Sequence, residues 1–166
     1  MDALLPIAAR AASLLKSRGE TLAVAESSAG GLVSAALLAQ PGASAYFLGG
    51  AVVYTRAARE ALLGIEAARL EGMRPSTEPY AALLAETARA RLGADWGLGE
   101  TGAAGPAGNR YGDPAGHACL AVAGPVPGTA TVRTGESDRI ANMREFGARL
   151  LVLLVEALEA APRPAD

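Results

Sequence analysis

The chain has 166 residues, of which 51% are hydrophobic and 19% charged, with a formal net charge of −2. This is the size of one domain with ample apolar content for a core, and it argues against intrinsic disorder. No basic patch marks a nucleic-acid partner, no apolar run reaches the roughly 18 residues of a membrane span, and Met1-Asp2-Ala3 lacks the charged start of a signal peptide. A cytoplasmic setting is expected, and it fits a single cysteine, Cys119, which cannot form an internal disulfide. One histidine and one cysteine argue against a dedicated zinc site, and no cofactor is expected. Lys16 is the only lysine, against fourteen arginines.

Met1 to Arg18 reads as a helix with Leu4, Leu5, Ala8, Ala12 and Leu15 on one face, ended by Gly19. Leu22 to Ala25 is a short buried strand, and the helix predicted from Ser28 to Ala39 stops before Pro41-Gly42. Phe47 to Thr55 reads as a second strand, followed by a short helix, Arg56 to Leu63, closed by Gly64. Thr77-Glu78-Pro79 combines a capping hydroxyl, an acidic residue and a first-turn proline, and predicts a helix running to about Leu92. Trp96 to Thr101 is a third strand, and Gly102 to Gly116 a loop dense in Gly, Pro and Asn. Ala118 to Ala123 and Thr129 to Thr134 form a hairpin, and Asp138 opens a long final helix. Residues 161–166 are expected to form a disordered tail after a single domain, 1–160. This alternation with a late hairpin predicts an α/β fold, a three-layer α/β/α sandwich with a mixed, mostly parallel sheet. Ligands in such folds collect at the carboxyl ends of parallel strands. Here those ends are Glu26-Ser27-Ser28, Tyr54-Thr55 and Thr101-Gly102.

Four segments carry chemistry-bearing residues. Glu26-Ser27-Ser28-Ala29-Gly30-Gly31 lies on a strand-to-helix turn, where free backbone N–H groups and the helix dipole favour an anion. Its bland alternative is a capped helix with glycines for tight packing. Pro41-Gly42-Ala43-Ser44-Ala45-Tyr46-Phe47 places Ser44 in a turn before a strand, where it is an ordinary turn serine or a side chain projecting into a cleft. Tyr54, at a strand end, is suited to hydrogen-bonding a ligand or to amphipathic packing. Thr101-Gly102-Ala103-Ala104-Gly105-Pro106 is a glycine loop after a strand, able to bind phosphate through N–H groups but lacking the Lys-Ser/Thr ending of a P-loop.

In order and spacing these four segments resemble the C-terminal domain of CinA and its stand-alone relatives, the nicotinamide mononucleotide amidohydrolases. The resemblance also takes in Leu62-Leu63-Gly64-Ile65, Gly116 and Asp138-Arg139, and so covers nearly the whole chain. It implies cleavage of the carboxamide of nicotinamide mononucleotide to nicotinic acid mononucleotide and ammonia, by serine/lysine chemistry without a metal. Mapped onto this sequence, the nucleophile position falls on Ser44. Tyr54, Ser27 and the lysine position, Arg59, complete the catalytic set. Ser28, Gly30, Gly31, Thr101, Gly102, Gly105 and Arg139 are the substrate-binding positions, with Arg139 suited to the phosphate. The implied partner is a phosphorylated pyridine or related nucleotide, with no nucleic acid and no membrane. The resemblance also implies a homo-oligomer.

The departures concern the chemistry. The family's lysine is Arg59, and arginine stays protonated in proteins, so it cannot act as the base a serine needs. The motif Cys-Thr is Ser28-Ala29, the first serine of a Ser-Ser pair is Ala43, and an asparagine is Arg56. Lys16 and His117 are expected away from the carboxyl ends, and Cys119 in the core. Three functions therefore compete: an amidohydrolase with another base, a module that binds a small anionic ligand through Arg56, Arg59 and Arg139, and a purely structural domain.

Overall fold

The computed structural model describes residues 1–162, so the end of the predicted tail, 163–166, lies outside the described residues. The strands are β1 (Leu22–Glu26), β2 (Phe47–Val52), β3 (Trp96–Ala103), β4 (His117–Ala123) and β5 (Gly128–Arg133). The helices are α1 (Leu5–Arg18), α2 (Leu32–Leu38), α3 (Arg56–Leu63), α4 (Glu78–Leu92) and α5 (Arg139–Ala160). The five strands form one sheet in the order β2-β1-β3-β4-β5. β2, β1 and β3 are parallel neighbours, and the β4–β5 hairpin adds antiparallel strands on the β3 side.

Alternate residues of the central strands face opposite layers. Leu22 and Val24 of β1, Leu98 of β3, and Leu120 and Val122 of β4 join Leu15 of α1, Val33 and Leu37 of α2, and Phe146, Leu150 and Leu154 of α5 in the larger core. The opposite face is built of small residues. Ala23 and Ala25 meet Leu63, Ile65, Tyr80, Leu84 and Ala88, while Cys119, Ala121 and Ala123 meet Ala81 and Ala85. The fold is thus the expected three-layer α/β/α arrangement. α4 lies so close to β3 that a Cβ on Gly97 or Gly99 would collide with the carbonyl oxygens of Ala85 and Ala81. These two glycines set the helix-to-sheet distance.

Most boundaries agree with the sequence reading to within one residue, and four shift by more. α1 begins at Leu5 rather than Met1. α2 begins at Leu32 rather than Ser28, because Gly30 and Gly31 adopt φ of 69° and 93° and hold the chain in a turn. β2 ends at Val52, and β3 runs on to Ala103. Asp138 caps α5 as expected, its carboxylate accepting from the N–H groups of Ile140 and Ala141 at 2.9 and 3.0 Å. Thr77 precedes α4 but does not cap it; its hydroxyl donates to the carbonyl of Arg74 instead.

Gly99→Val drives a branched side chain into the α4 backbone, where no flexible atom can yield. Urea unfolding is expected to show a loss of about 2–3 kcal/mol, the cost of overpacking a core. An unchanged midpoint would contradict the close approach described here.

Candidate functional site

Because β2, β1 and β3 are adjacent and parallel, their carboxyl ends share one edge of the sheet. Ser27, Tyr54 and Thr101-Gly102 lie along that edge. Beneath it are two fully buried carboxylates, Glu26 at the end of β1 and Glu100 in β3. Both point to the α2 side, and both accept hydrogen bonds from the turn between β1 and α2. Glu26 takes the N–H groups of Gly31 and Val33 at 3.0 Å and of Ser34 at 2.8 Å, with the Ser34 hydroxyl at 2.7 Å. Glu100 takes the N–H groups of Ser27 at 2.9 Å and Ala29 at 2.7 Å, and the hydroxyl of Ser28. Gly30 and Leu32 donate to the carbonyls of Ser27 and Ala29.

This overturns the reading of the turn as a vacant anion cradle. The electrostatics are as expected, since N–H groups at a helix start do attract negative charge. The charge is supplied by the chain itself. The Ser28 hydroxyl is likewise committed to Glu100. Gly30 and Gly31 meet the bland alternative in their packing. A Cβ on Gly30 would press on Met143 of α5 at 2.8 Å, and one on Gly31 would touch Val52 at 3.4 Å.

The exposed part of the edge has its own organisation. Arg139, the first residue of α5, donates to the carbonyl of Gly105 at 2.7 Å and to the Tyr54 hydroxyl at 3.2 Å. Its guanidinium lies 5.9 Å from the Tyr54 ring centroid. Tyr54 is 58% exposed, so the pair stands open to solvent. Ser27 is half-buried, and its hydroxyl has no hydrogen-bond partner among the described residues. Thr101 points to the other face of the sheet, where its Oγ1 accepts from the N–H of Ser76 at 3.2 Å. Gly102 is held against the β4 backbone at His117 and Ala118. Gly105 takes part through its carbonyl, and a Cβ there would strike the Ser137 carbonyl.

Two predicted catalytic residues are placed differently. Ser44 sits in a turn of 3-10 helix, Ala43–Ala45, that precedes β2, whereas Tyr54 follows it. Six residues of strand separate the two ends by about 20 Å. Ser44 is therefore exposed at the amino edge of the sheet, in the same segment as Pro41, whose carbonyl accepts from Lys16 Nζ at 3.1 Å. Arg59 is buried in α3, with its Nε donating to the Ile65 carbonyl at 3.1 Å and Nη1 reaching the Tyr80 hydroxyl at 3.5 Å. Neither residue meets Ser27 in this arrangement.

The sequence reading missed the role of Glu100 and left Glu26 as a motif letter. The available signal was a carboxylate directly after the apolar run Trp96-Gly97-Leu98-Gly99, a position that cannot be both buried and ionised without donors. It also missed Ser76, a buried serine with φ of 59°, whose carbonyl is 2.9 Å from His117 Nε2. No local pattern announces that contact. Cys119 is buried in β4, as expected of a core residue, but His117, expected away from the carboxyl ends, pairs with Ala103 at the carboxyl end of β3, because β4 runs antiparallel to it.

The CinA C-terminal domain model matches residues 5–158. The chain belongs to the CinA C-terminal domain family. A CinA-like protein of Prochlorococcus marinus (strain MIT 9313) is 49% identical over 112 residues, covering 68% of this chain but 26% of that protein. One from Parasynechococcus marenigrum (strain WH8102) is 41% identical over 147 residues, covering 89% of this chain and 34% of its own length. The chain thus spans about a third or less of these curated relatives. Among solved structures, a competence-damaged protein (CinA) superfamily protein from Klebsiella pneumoniae 700603 superposes with a TM-score of 0.87 at 28% identity, over 94% of this chain and 98% of that one. The competence/damage inducible protein CihA from Agrobacterium tumefaciens gives 0.86 at 27% identity, over 93% and 95%.

In this CinA-family chain, burial pushes the Glu100 carboxyl up from 4.5 to about 7. The donors of Ala29, Ser28 and Ser27 oppose the shift, and the nearby charge of Glu26 adds to it. The native state therefore holds this proton more tightly than the unfolded chain does. The resulting stabilisation is full below the unfolded value near 4.5 and is lost as pH rises through about 7. Glu100→Gln keeps an acceptor for the N–H groups and removes the titration. Its stability is expected to lack the fall that the wild type shows across that window. The two slopes should differ by up to about 1.4 kcal/mol per pH unit, the value for one proton. Parallel pH profiles of chemical denaturation would refute the assignment.

Proposed function

We propose that this CinA-family chain binds a small phosphorylated pyridine or related nucleotide at the carboxyl-end edge, as a catalytically impaired relative of nicotinamide mononucleotide amidohydrolases. The orientation of Arg139 carries this reading. Its guanidinium is braced by the Gly105 carbonyl and the Tyr54 hydroxyl and has no carboxylate partner among the described residues. A braced guanidinium with N–H groups to spare suits a phosphate. The exposed Tyr54 ring beside it offers a face for a flat heterocycle. Impaired catalysis follows from Arg59, which cannot accept a proton, and from Ser44, which lies at the far end of β2.

Amide hydrolysis is the second reading, and one observation favours it. Glu100 titrates near neutrality directly beneath the turn that carries the unpartnered Ser27 hydroxyl. A carboxyl of that pKa can take up a proton at neutral pH. In this reading the Ser27 hydroxyl attacks the amide carbon, its proton is relayed through Glu100 to the departing nitrogen, ammonia leaves an ester on Ser27, and water then cleaves that ester to the free acid and restores the hydroxyl.

Calorimetry and ammonia release with nicotinamide mononucleotide separate the two. The expected outcome is saturable binding, weakened about tenfold or more by Arg139→Ala, the scale of one lost charge-assisted hydrogen bond, with little or no ammonia released. Robust ammonia release abolished by Ser27→Ala would establish the second reading. Absence of binding to this and related nucleotides would overturn the first.

A further inference from the structure

We propose that a cavity beside β2, away from the carboxyl-end edge, binds an alkyl monocarboxylate, with Arg91 holding the carboxylate and leucine side chains the methylene chain. The cavity measures about 250 Å³ and lies where the outer edge of β2 meets α3 and the last turn of α4. Leu48, Ala51, Leu62, Leu63, Ala88 and Leu92 give it an apolar lining. Three of these leucines stay strongly exposed, Leu48 at 43%, Leu62 at 51% and Leu92 at 48%. Single exposed leucines are ordinary, but three that converge on one concave surface mark a place where apolar matter binds. Gly49 keeps the cavity open, since a Cβ there would press on Leu92 Cδ1 at 2.9 Å.

Arg91 is the only charged residue in this lining. Its Nη1 donates to the Leu63 carbonyl at 3.3 Å, at the end of α3. That bond rests the guanidinium on a helix C-terminus, the end that favours a cation. Gly64 makes room for it, because a Cβ there would meet Arg91 Nη1 at 2.8 Å. Among the described residues Arg91 has no carboxylate partner, and its Nε and Nη2 make no hydrogen bond. The group is thus braced by one N–H and has others to offer a ligand. A braced side chain loses less entropy on binding than a free one.

One guanidinium matches the two oxygens and the single charge of a carboxylate. A phosphate monoester would bring a second charge that nothing in the lining meets. Sites for drug-sized ligands run to roughly 300–1,000 Å³, and this smaller cavity suits a short alkyl chain. Charge also weighs against a second copy of this chain as the occupant. A twofold contact applies the same patch to itself. It would set two Arg91 charges together with no acid in the lining to separate them. The cavity contains none of Ser27, Tyr54 and Arg139, so this inference stands apart from the nucleotide reading.

Backbone-amide NMR of the full chain titrated with octanoate tests it, with acetate, hexanoate and octan-1-ol titrated separately. Saturable shifts with octanoate are expected at residues 48–51, 62–64 and 88–92. Acetate lacks the chain and octanol lacks the charge, so each is expected to bind at these amides about tenfold or more weakly. Hexanoate, shorter by two methylenes, is expected to bind about five- to fifteenfold more weakly than octanoate. Arg91 and Leu62 are exposed, so Arg91→Gln and Leu62→Ala can be made without opening the core. Each variant is expected to keep a folded spectrum and to bind octanoate about fivefold or more weakly. No saturable shift with octanoate, equal binding of octanol, or unchanged affinity in both folded variants would overturn the proposal. So would broadening of these amides with protein concentration in the absence of ligand, which would put a second copy on the patch. Nucleotide binding is read through Arg139 and not at these amides, so the two readings fail separately.

Discussion

The turn from β1 into α2 depends on two carboxylates buried under it. Its N–H groups point inward, away from water, and each must find an acceptor. Glu26 and Glu100 supply those acceptors from adjacent strands of the sheet. Each carboxylate alone would be expensive to bury, and each set of N–H groups alone would be unsatisfied. Together they make a compact polar layer between the sheet and α2, and they fix where the β1 end lies relative to β3.

That layer divides the site region into two kinds of residue. Ser28, Gly30 and Gly31 serve the turn and its packing, even though they look like ligand-binding residues in the sequence. Ser27, Tyr54 and Arg139 are left at the surface of the same edge with capacity to spare. The small-residue face of the sheet has a related effect on the other side. Gly97 and Gly99 let α4 approach closely, and the segment leading into α4 then lies over Thr101, which binds the Ser76 N–H. Packing thus withdraws Thr101 from the exposed edge.

The arginines distribute charge differently from a lysine-based site. Arg59 is planar and permanently charged, and it rests on backbone and phenol oxygens rather than near a serine. Arg139 is held by Tyr54 and Gly105. The chemistry favoured by such groups is recognition of anions rather than removal of a proton. Burial raises the Glu100 carboxyl to about 7, and its hydrogen-bond partners all come from the turn.

The sequence by itself determined the family, the alternation of helices and strands, the late hairpin and the edge where the parallel strands end. These rest on local periodicity, on turn chemistry such as the Asp138 cap, and on linked motifs, all of which are visible along the chain. Tertiary structure decided which N–H groups were already occupied, since Glu100 is distant in sequence from the turn it satisfies. It also decided that Ser44 and Tyr54 stand at opposite ends of β2. Their separation in sequence is short, but an extended strand converts a few residues into the full depth of the sheet. Motif order records adjacency along the chain, whereas a site requires adjacency in space. Strand direction and the burial of charge determine where the two coincide.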